Sequence, residues 1–173
     1  MSDFAHRLPI DQIRDGARID LTADEGERRA VAERLGLLGL DRFETHVTLR
    51  REGRTVDCVG RIKAQLQQSC IASGEPVAAA IDEAFAIRFV PPPVVDGPEA
   101  ELELGAADLD TVIHDGQAID LGEAVADSLA LALDPYPRGP KADEALKAAG
   151  VLSEAEAGPF AALAKLKGGS GGE

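Results

Sequence analysis

Two consecutive stretches of alternating residues constrain this chain more than any other feature. In the first, the odd positions from Phe43 to Leu49 share one side, and in the second the even positions from Val56 to Leu66 do so. Alternation with period two is typical of half-buried strands, and the glycine-containing segment 51–54 between them predicts a hairpin turn. We therefore expect a long β-hairpin at the centre of the fold.

Further elements are predicted on both sides of this hairpin. Thr22 begins a T-x-x-E capping box, which predicts a helix over residues 24–37. Asp120 is the expected N-cap of a second helix over residues 121–133, which Pro135 ends. One or two short strands are expected before residue 22.

A third long strand is predicted over residues 77–90, where the odd positions are apolar except for Glu83. A bulge or an edge position would accommodate that charge. These elements predict an α+β fold with an antiparallel, partly closed β-sheet and two packed helices.

The chain length of 173 residues suits one folded core. We expect a single α+β domain over residues 1–135. Residues 136–173, rich in Ala, Gly and charge, are expected to form a flexible C-terminal arm with a short helix near 141–149 and another from Ser153. The arm's amphipathic motif either orders on a partner or docks on its own domain.

The net charge of −13 is unevenly distributed. Basic and acidic residues balance over residues 1–63, so the whole excess falls on residues 64–173. No Lys or Arg lies between Arg88 and Arg138, whereas many acidic residues do. Such a segment repels a phosphate backbone and attracts basic partners, or it acts as a solvated loop. The candidate partner-binding residues in it are Glu99, Glu101, Glu103 and Asp108.

Residues 42–63 form the basic island of the sequence. Its candidate RNA-contact residues are Arg50, Arg51, Arg54, Arg61 and Lys63. Outward positions on the hairpin would allow phosphate contacts that are blind to sequence. The alternative is an ordinary solvated sheet face.

Motifs for chemistry are lacking in the sequence. It has no nucleotide-binding glycine motif and no nucleophile elbow, so we expect no enzyme activity. Three separated histidines and two cysteines, Cys58 and Cys70, do not supply a zinc ligand set, so we expect no metal and no cofactor. No apolar stretch is long enough to span a membrane, and we expect a cytoplasmic protein.

Three ordered blocks resemble the bacterial YceD family of large ribosomal RNA subunit accumulation proteins. The first follows a C-x-x-C pattern and is carried by Cys70, Ser73, Gly74 and Pro76. The second resembles the family's I-D-L helix and is carried by Ile119, Asp120, Leu121, Glu123, Leu129, Leu131, Leu133 and Pro135. The third is similar to the family's terminal block and is carried by Pro159, Phe160, Ala161, Leu163, Leu166 and Lys167.

The chain departs from the family pattern in two places. Ser73 replaces the second cysteine of the C-x-x-C pattern, and the region from Pro135 to Pro140 lacks the later cysteines that many members carry. The resemblance implies a role in accumulation of 23S rRNA and hence in ribosome assembly. Combined with the charge, it leads us to expect binding of a basic ribosomal protein or assembly factor; the alternative is direct rRNA binding through the basic hairpin.

Overall fold

A computed structural model describes residues 4–92 and 110–151. The chain divides into two compact units. The first comprises Met1–Gln68 and Ala78–Pro135, and the second comprises Ser69–Val77 and Tyr136–Glu173. The division into a domain over 1–135 and a flexible arm over 136–173 stays a prediction.

The first unit is built on a five-stranded mixed sheet. Its strands, in the order in which they pair, are β2 (Ala17–Thr22), β3 (Gly39–Glu52), β4 (Thr55–Ser69), β5 (Pro76–Val90) and β6 (Thr111–Ile113). β2, β3 and β4 pair antiparallel, whereas β5 and β6 pair in parallel. A separate small sheet pairs β1 (Arg7–Pro9) with β7 (Ala118–Asp120).

The predicted hairpin is confirmed by β3 and β4. Its register brings Leu49 opposite Cys58 and Phe43 opposite Ala64, so the two apolar sides lie on one face of the sheet. Those four side chains are buried. Gly53 turns the chain with a positive φ of 62°, which favours glycine because it has no Cβ.

Two helices complete the first unit, α1 (Glu25–Arg34) and α2 (Leu121–Ala132). The predicted capping of α1 is wrong: Asp24, not Thr22, accepts a hydrogen bond from the N–H of Glu27, and the Glu27 carboxylate in turn accepts one from the N–H of Asp24. Thr22 belongs to β2 instead, because sheet pairing with Glu44 extends to that residue. α1 is also shorter than the expected 24–37.

The core of the first unit lies on the hairpin's apolar face, where Phe43, Leu49, Ile62, Leu121 and Leu129 are almost completely buried. The α+β class is therefore confirmed. The expected partial closure of the sheet is not found in the described residues, where β2 and β6 are its two edge strands. β6 and β7 lie in the acidic segment between Arg88 and Arg138.

The described part of the second unit contains a loop over residues 69–75 and the helix α3 (Ala142–Ala148), close to the predicted 141–149. The helix predicted from Ser153 lies outside the described residues. None of the helices within residues 4–92 and 110–151 combines the length and apolar character required to cross a membrane.

Candidate functional site

An acidic cleft of about 350 Å³ lies in the first unit, where β6 and β7 meet α2. We use the name acidic cleft for the space lined by the charged side chains of Arg7, Asp115, Asp120, Glu123 and Asp127. The lining of the acidic cleft thus contains four carboxylates and one guanidinium. Apolar surface is present as well, since Val112 and Ile113 of β6 line the same cleft and are 41% and 57% exposed.

A buried histidine holds the loop between β6 and β7. The Nε2 of His114 donates to the carbonyl oxygen of Arg54 at 2.8 Å, and its Nδ1 accepts the N–H of Gly116 at 2.9 Å. Both bonds form together only in the neutral tautomer with its proton on Nε2. His114 therefore connects the cleft to the turn of the central hairpin.

Asp115 stays ionised in this loop. Its Oδ1 accepts the N–H groups of Ala118 and Gln117 at 2.9 and 2.8 Å, and its Oδ2 pairs with Arg7. The hydrogen bond from Ala118 is the main cause that holds the pKa of Asp115 below its usual value, and the bond from Gln117 is the second. The cleft therefore keeps this negative charge at neutral pH.

Asp120, the cap expected from the sequence, begins α2. Its Oδ1 accepts the N–H of Glu123 at 3.1 Å and that of His6 at 3.4 Å. Leu121 is completely buried and donates its N–H to the carbonyl of His6 at 3.0 Å. These two family-motif residues therefore dock the helix on the N-terminal segment.

The remaining acids of the cleft lie one turn apart on α2. Asp127 forms an ion pair with Arg34 at 3.2 Å, and Glu123 is exposed at the rim. Glu123 was expected as part of the α2 start; Arg7, His114 and Asp115 were not singled out as site residues. The adjacent Asp115 and Gly116 are a turn signal that could have indicated this loop.

The predicted RNA-contact residues have three kinds of environment. Arg51 and Arg54 use their guanidinium groups to hold backbone carbonyls, those of Gly53 at 3.0 Å and Gly116 at 2.9 Å respectively. Arg61 pairs with Asp82, which lies on β5. Arg50 is exposed and Lys63 half-buried on the outer face.

Acidic residues lie among these basic ones. Arg50 is opposite Asp57, and Lys63 is opposite Glu44 in the β3–β4 register. Alternation of sign weakens the attraction of this face for a polyanion. The role of the five basic residues in binding RNA stays a prediction.

Two groups of predicted site residues lie outside the described residues. They are the acidic residues Glu99, Glu101, Glu103 and Asp108, and the terminal-block residues Pro159 and Phe160.

The second unit places the C-x-x-S segment in a tight loop. Gly74 donates its N–H to the carbonyl of Cys70 at 2.9 Å and has a positive φ of 71°. Cys70 in turn donates its N–H to the carbonyl of Glu75 at 2.8 Å, just before Pro76 begins β5. Gly74 is therefore required by the turn.

The thiol of Cys70 lies beside the segment 137–139. Its Sγ accepts the N–H of Gly139 at 3.4 Å, and the carbonyl of Pro137 accepts the N–H of Ile71 at 3.0 Å. The bond from Gly139, followed by bonds from the hydroxyl and N–H of Ser73, lowers the pKa of Cys70 to about 7. In the parts of the chain that the structure describes, no three His, Cys, Asp or Glu side chains are grouped as metal ligands would be.

Cys58 has the opposite environment. It lies on the buried face of β4, and burial raises the pKa of its thiol to about 12. It is therefore a small core residue, as predicted from its position in the strand.

Comparison with known proteins identifies one family. The sequence model of the family described as "Large ribosomal RNA subunit accumulation protein YceD" matches residues 58–167. No curated protein and no solved structure gives a significant match. The matched segment includes the loop of Cys70, α2 and the residues that line the acidic cleft, except Arg7. Since it covers more than half of the chain, the protein belongs to the YceD family, whose description assigns it a role in accumulation of large-subunit ribosomal RNA.

Proposed function

We propose that this protein is a non-enzymatic, cytoplasmic assembly factor that supports 23S rRNA accumulation by binding a basic protein through an anionic surface. The partner is a ribosomal protein of the large subunit or another assembly factor. The proposal depends on one observation above all: residues 89–137 contain no Lys or Arg.

Charge chemistry favours a protein partner over RNA. A one-signed acidic segment repels a phosphate backbone and accelerates encounter with a basic protein. Many ribosomal proteins are basic because they neutralise rRNA, and an anionic surface can hold such a protein before it reaches its RNA site. Supply of that protein would then support accumulation of the assembled rRNA.

The acidic cleft supports this proposal within the described part of the chain. Its carboxylates from Asp115, Glu123 and Asp127 lie beside the exposed apolar side chains of Val112 and Ile113. A lysine or arginine side chain offers the complementary combination, an aliphatic stem and a cationic head. The acidic cleft and the preceding segment with Glu99, Glu101, Glu103 and Asp108 are therefore two sources of anionic groups that lie close together in the sequence.

The test compares binding of the full chain to purified basic large-subunit ribosomal proteins and to 23S rRNA fragments at low and high salt. A variant carrying Glu99→Gln, Glu101→Gln, Glu103→Gln and Asp108→Asn should lose at least about tenfold in affinity for a basic protein. The native protein should bind that partner steeply more weakly as salt rises.

A matched control removes the same four charges elsewhere. It carries Asp11→Asn, Glu33→Gln, Asp41→Asn and Glu52→Gln, all at exposed positions of the first unit. Its affinity should stay close to that of the native chain. Tight binding to rRNA alone that is lost on replacing Arg50 and Lys63 by Glu would instead establish the direct RNA-binding alternative.

A further inference from the structure

Within residues 4–92 and 110–151, one side of β5 has no strand neighbour over most of its length. β4 lies on its other side, and β6 pairs only with the last three residues, Arg88–Val90. Among the described residues, no strand pairs with the outer edge of β5 between Ala78 and Ile87. An open edge of this length is a template for an added strand.

The contacts of β6 show which backbone groups face this edge. The N–H of Arg88 donates to the carbonyl of Asp110 at 2.9 Å, and the carbonyl of Val90 accepts the N–H of His114 at 3.0 Å. The even positions from Pro76 to Arg88 are all exposed, so side-chain alternation continues unbroken along β5. The edge therefore presents the N–H and C=O groups of Ala78, Ala80, Ala84 and Ala86 and the N–H of Asp82, whose carbonyl accepts a hydrogen bond from the guanidinium of Arg61 at 3.1 Å.

The side chains beside this edge leave room for a partner. Four of the five edge residues are alanines, which do not cover the backbone. Under the edge, a groove of about 450 Å³ separates β5 from α2 and is lined by Ile62, Glu83, Phe85 and Leu131. Leu131 is 82% exposed, so apolar surface continues from the groove onto the helix.

Glu83 determines which strand fits. It is exposed at an inward position, between the partly buried Ile81 and Phe85. A charge at such a position hinders pairing with an apolar strand, and a second copy of this acidic chain would add like charge. A strand that places Lys or Arg beside Glu83 and apolar side chains beside Ile81 and Phe85 satisfies both kinds of surface.

We propose that the outer edge of β5 binds an extended segment of the basic partner as an added β-strand, in which one face carries a basic residue between two apolar residues, each two positions apart. This inference rests on the proposed function, since it specifies how the basic protein is held. Main-chain hydrogen bonds would supply affinity, and Glu83 would select the charge of the partner strand.

Amide hydrogen exchange measured by NMR on the full chain tests this inference. The probe is a ten-residue peptide with Val-Thr-Lys-Thr-Val at its centre, which places Val, Lys and Val on one face of a strand, compared with the same peptide carrying Glu in place of Lys. In the protein alone, the edge-facing amides of Ala80, Asp82, Ala84 and Ala86 should exchange fast. The lysine peptide should slow them at least about tenfold, whereas the glutamate peptide should leave them unchanged.

Charge reversal provides the second arm. Glu83→Lys should exchange the preference, so that the glutamate peptide protects the edge and the lysine peptide does not. Glu52→Lys, an exposed change at the end of β3, is the control and should keep the native preference.

Two results would overturn the inference. One is protection of the edge-facing amides in the protein alone, which would mean that the chain itself or a second copy already covers β5. The other is binding of the lysine peptide without added protection of those amides. In either case the proposed function survives if neutralising Glu99, Glu101, Glu103 and Asp108 still weakens binding of the basic ribosomal protein.

Discussion

Gly122 lies so close to Phe4 that a Cβ at position 122 would overlap the carbonyl oxygen of Phe4. The first turn of α2 can therefore contact the N-terminal segment only where no side chain intervenes. The same junction includes the hydrogen bond from Leu121 to the carbonyl of His6. Glycine at this position thus permits α2 to be anchored beside the acidic cleft.

Replacing Gly122 by alanine should destabilise the protein by about 3 kcal/mol, because the backbone of Phe4 must move to accept the methyl group. Urea denaturation measures this change. Gly26→Ala is the control in α1, where the new Cβ would approach only the side chain of Asp24, at 3.3 Å. That change should leave the free energy of unfolding unchanged or raise it by up to about 1 kcal/mol, because alanine has a higher helix propensity than glycine. Equal stability of the two variants would contradict the close packing at Gly122.

The cap of α1 predicts unequal effects of two neighbouring substitutions. Asp24→Ala should reduce the free energy of unfolding by about 1 kcal/mol, because it removes the acceptor for the N–H of Glu27. Thr22→Ala should have a smaller effect, since Thr22 is exposed in β2 and makes no cap. Thermal denaturation of both variants under identical conditions decides between the two capping assignments. A larger loss of stability from Thr22→Ala than from Asp24→Ala would support Thr22 as the N-cap of α1.

The two thiols predict opposite changes of stability with pH. The pKa of Cys70 in the folded protein is about 7, below the usual 9.0. Its contribution to the free energy of unfolding is therefore complete above pH 9 and is lost as the pH falls towards 7. Cys58 has its pKa raised to about 12, so the stability that it confers below pH 9 is lost as the pH rises from 9 to 12. Chemical denaturation across this pH range measures both effects.

Single variants separate the two contributions. Cys70→Ser should flatten the rise of stability between pH 7 and 9 relative to the native protein, and Cys58→Ala should reduce the fall above pH 9. Comparison with the native curve at each pH removes the titration of other groups. An unchanged slope in the Cys70 variant between pH 7 and 9 would show that its thiolate is not stabilised by the loop.

His114 should be important for stability as well as for the shape of the cleft. His114→Phe leaves the carbonyl of Arg54 and the N–H of Gly116 without their partner and should cost about 2 kcal/mol. His46→Phe is the matched control, because His46 is exposed and pairs only with the exposed Asp20 on the outer face. Its cost should be below about 1 kcal/mol. Similar losses from both variants would show that the buried contacts of His114 add nothing.

Alternation in the sequence predicted the central hairpin and its buried side, and the family blocks predicted membership. Local capping rules gave a correct answer for Asp120 and a wrong one for the start of α1. Thr22 and Asp24 both have the residue type of a cap, but only Thr22 can also continue β2. Pairing with β3, a contact distant in sequence, decided between them.

The order of residue types along the chain was sufficient to predict the alternating strands, the charge imbalance and the absence of basic residues from 89–137. Contacts between distant segments place Arg7, Asp115 and Asp127 in one cleft and engage Arg54 and Arg61 in contacts within the chain. Among the described residues, they also leave most of the outer edge of β5 unpaired. Those features depend on pairing between segments far apart in sequence, and no local periodicity specifies which segments pair.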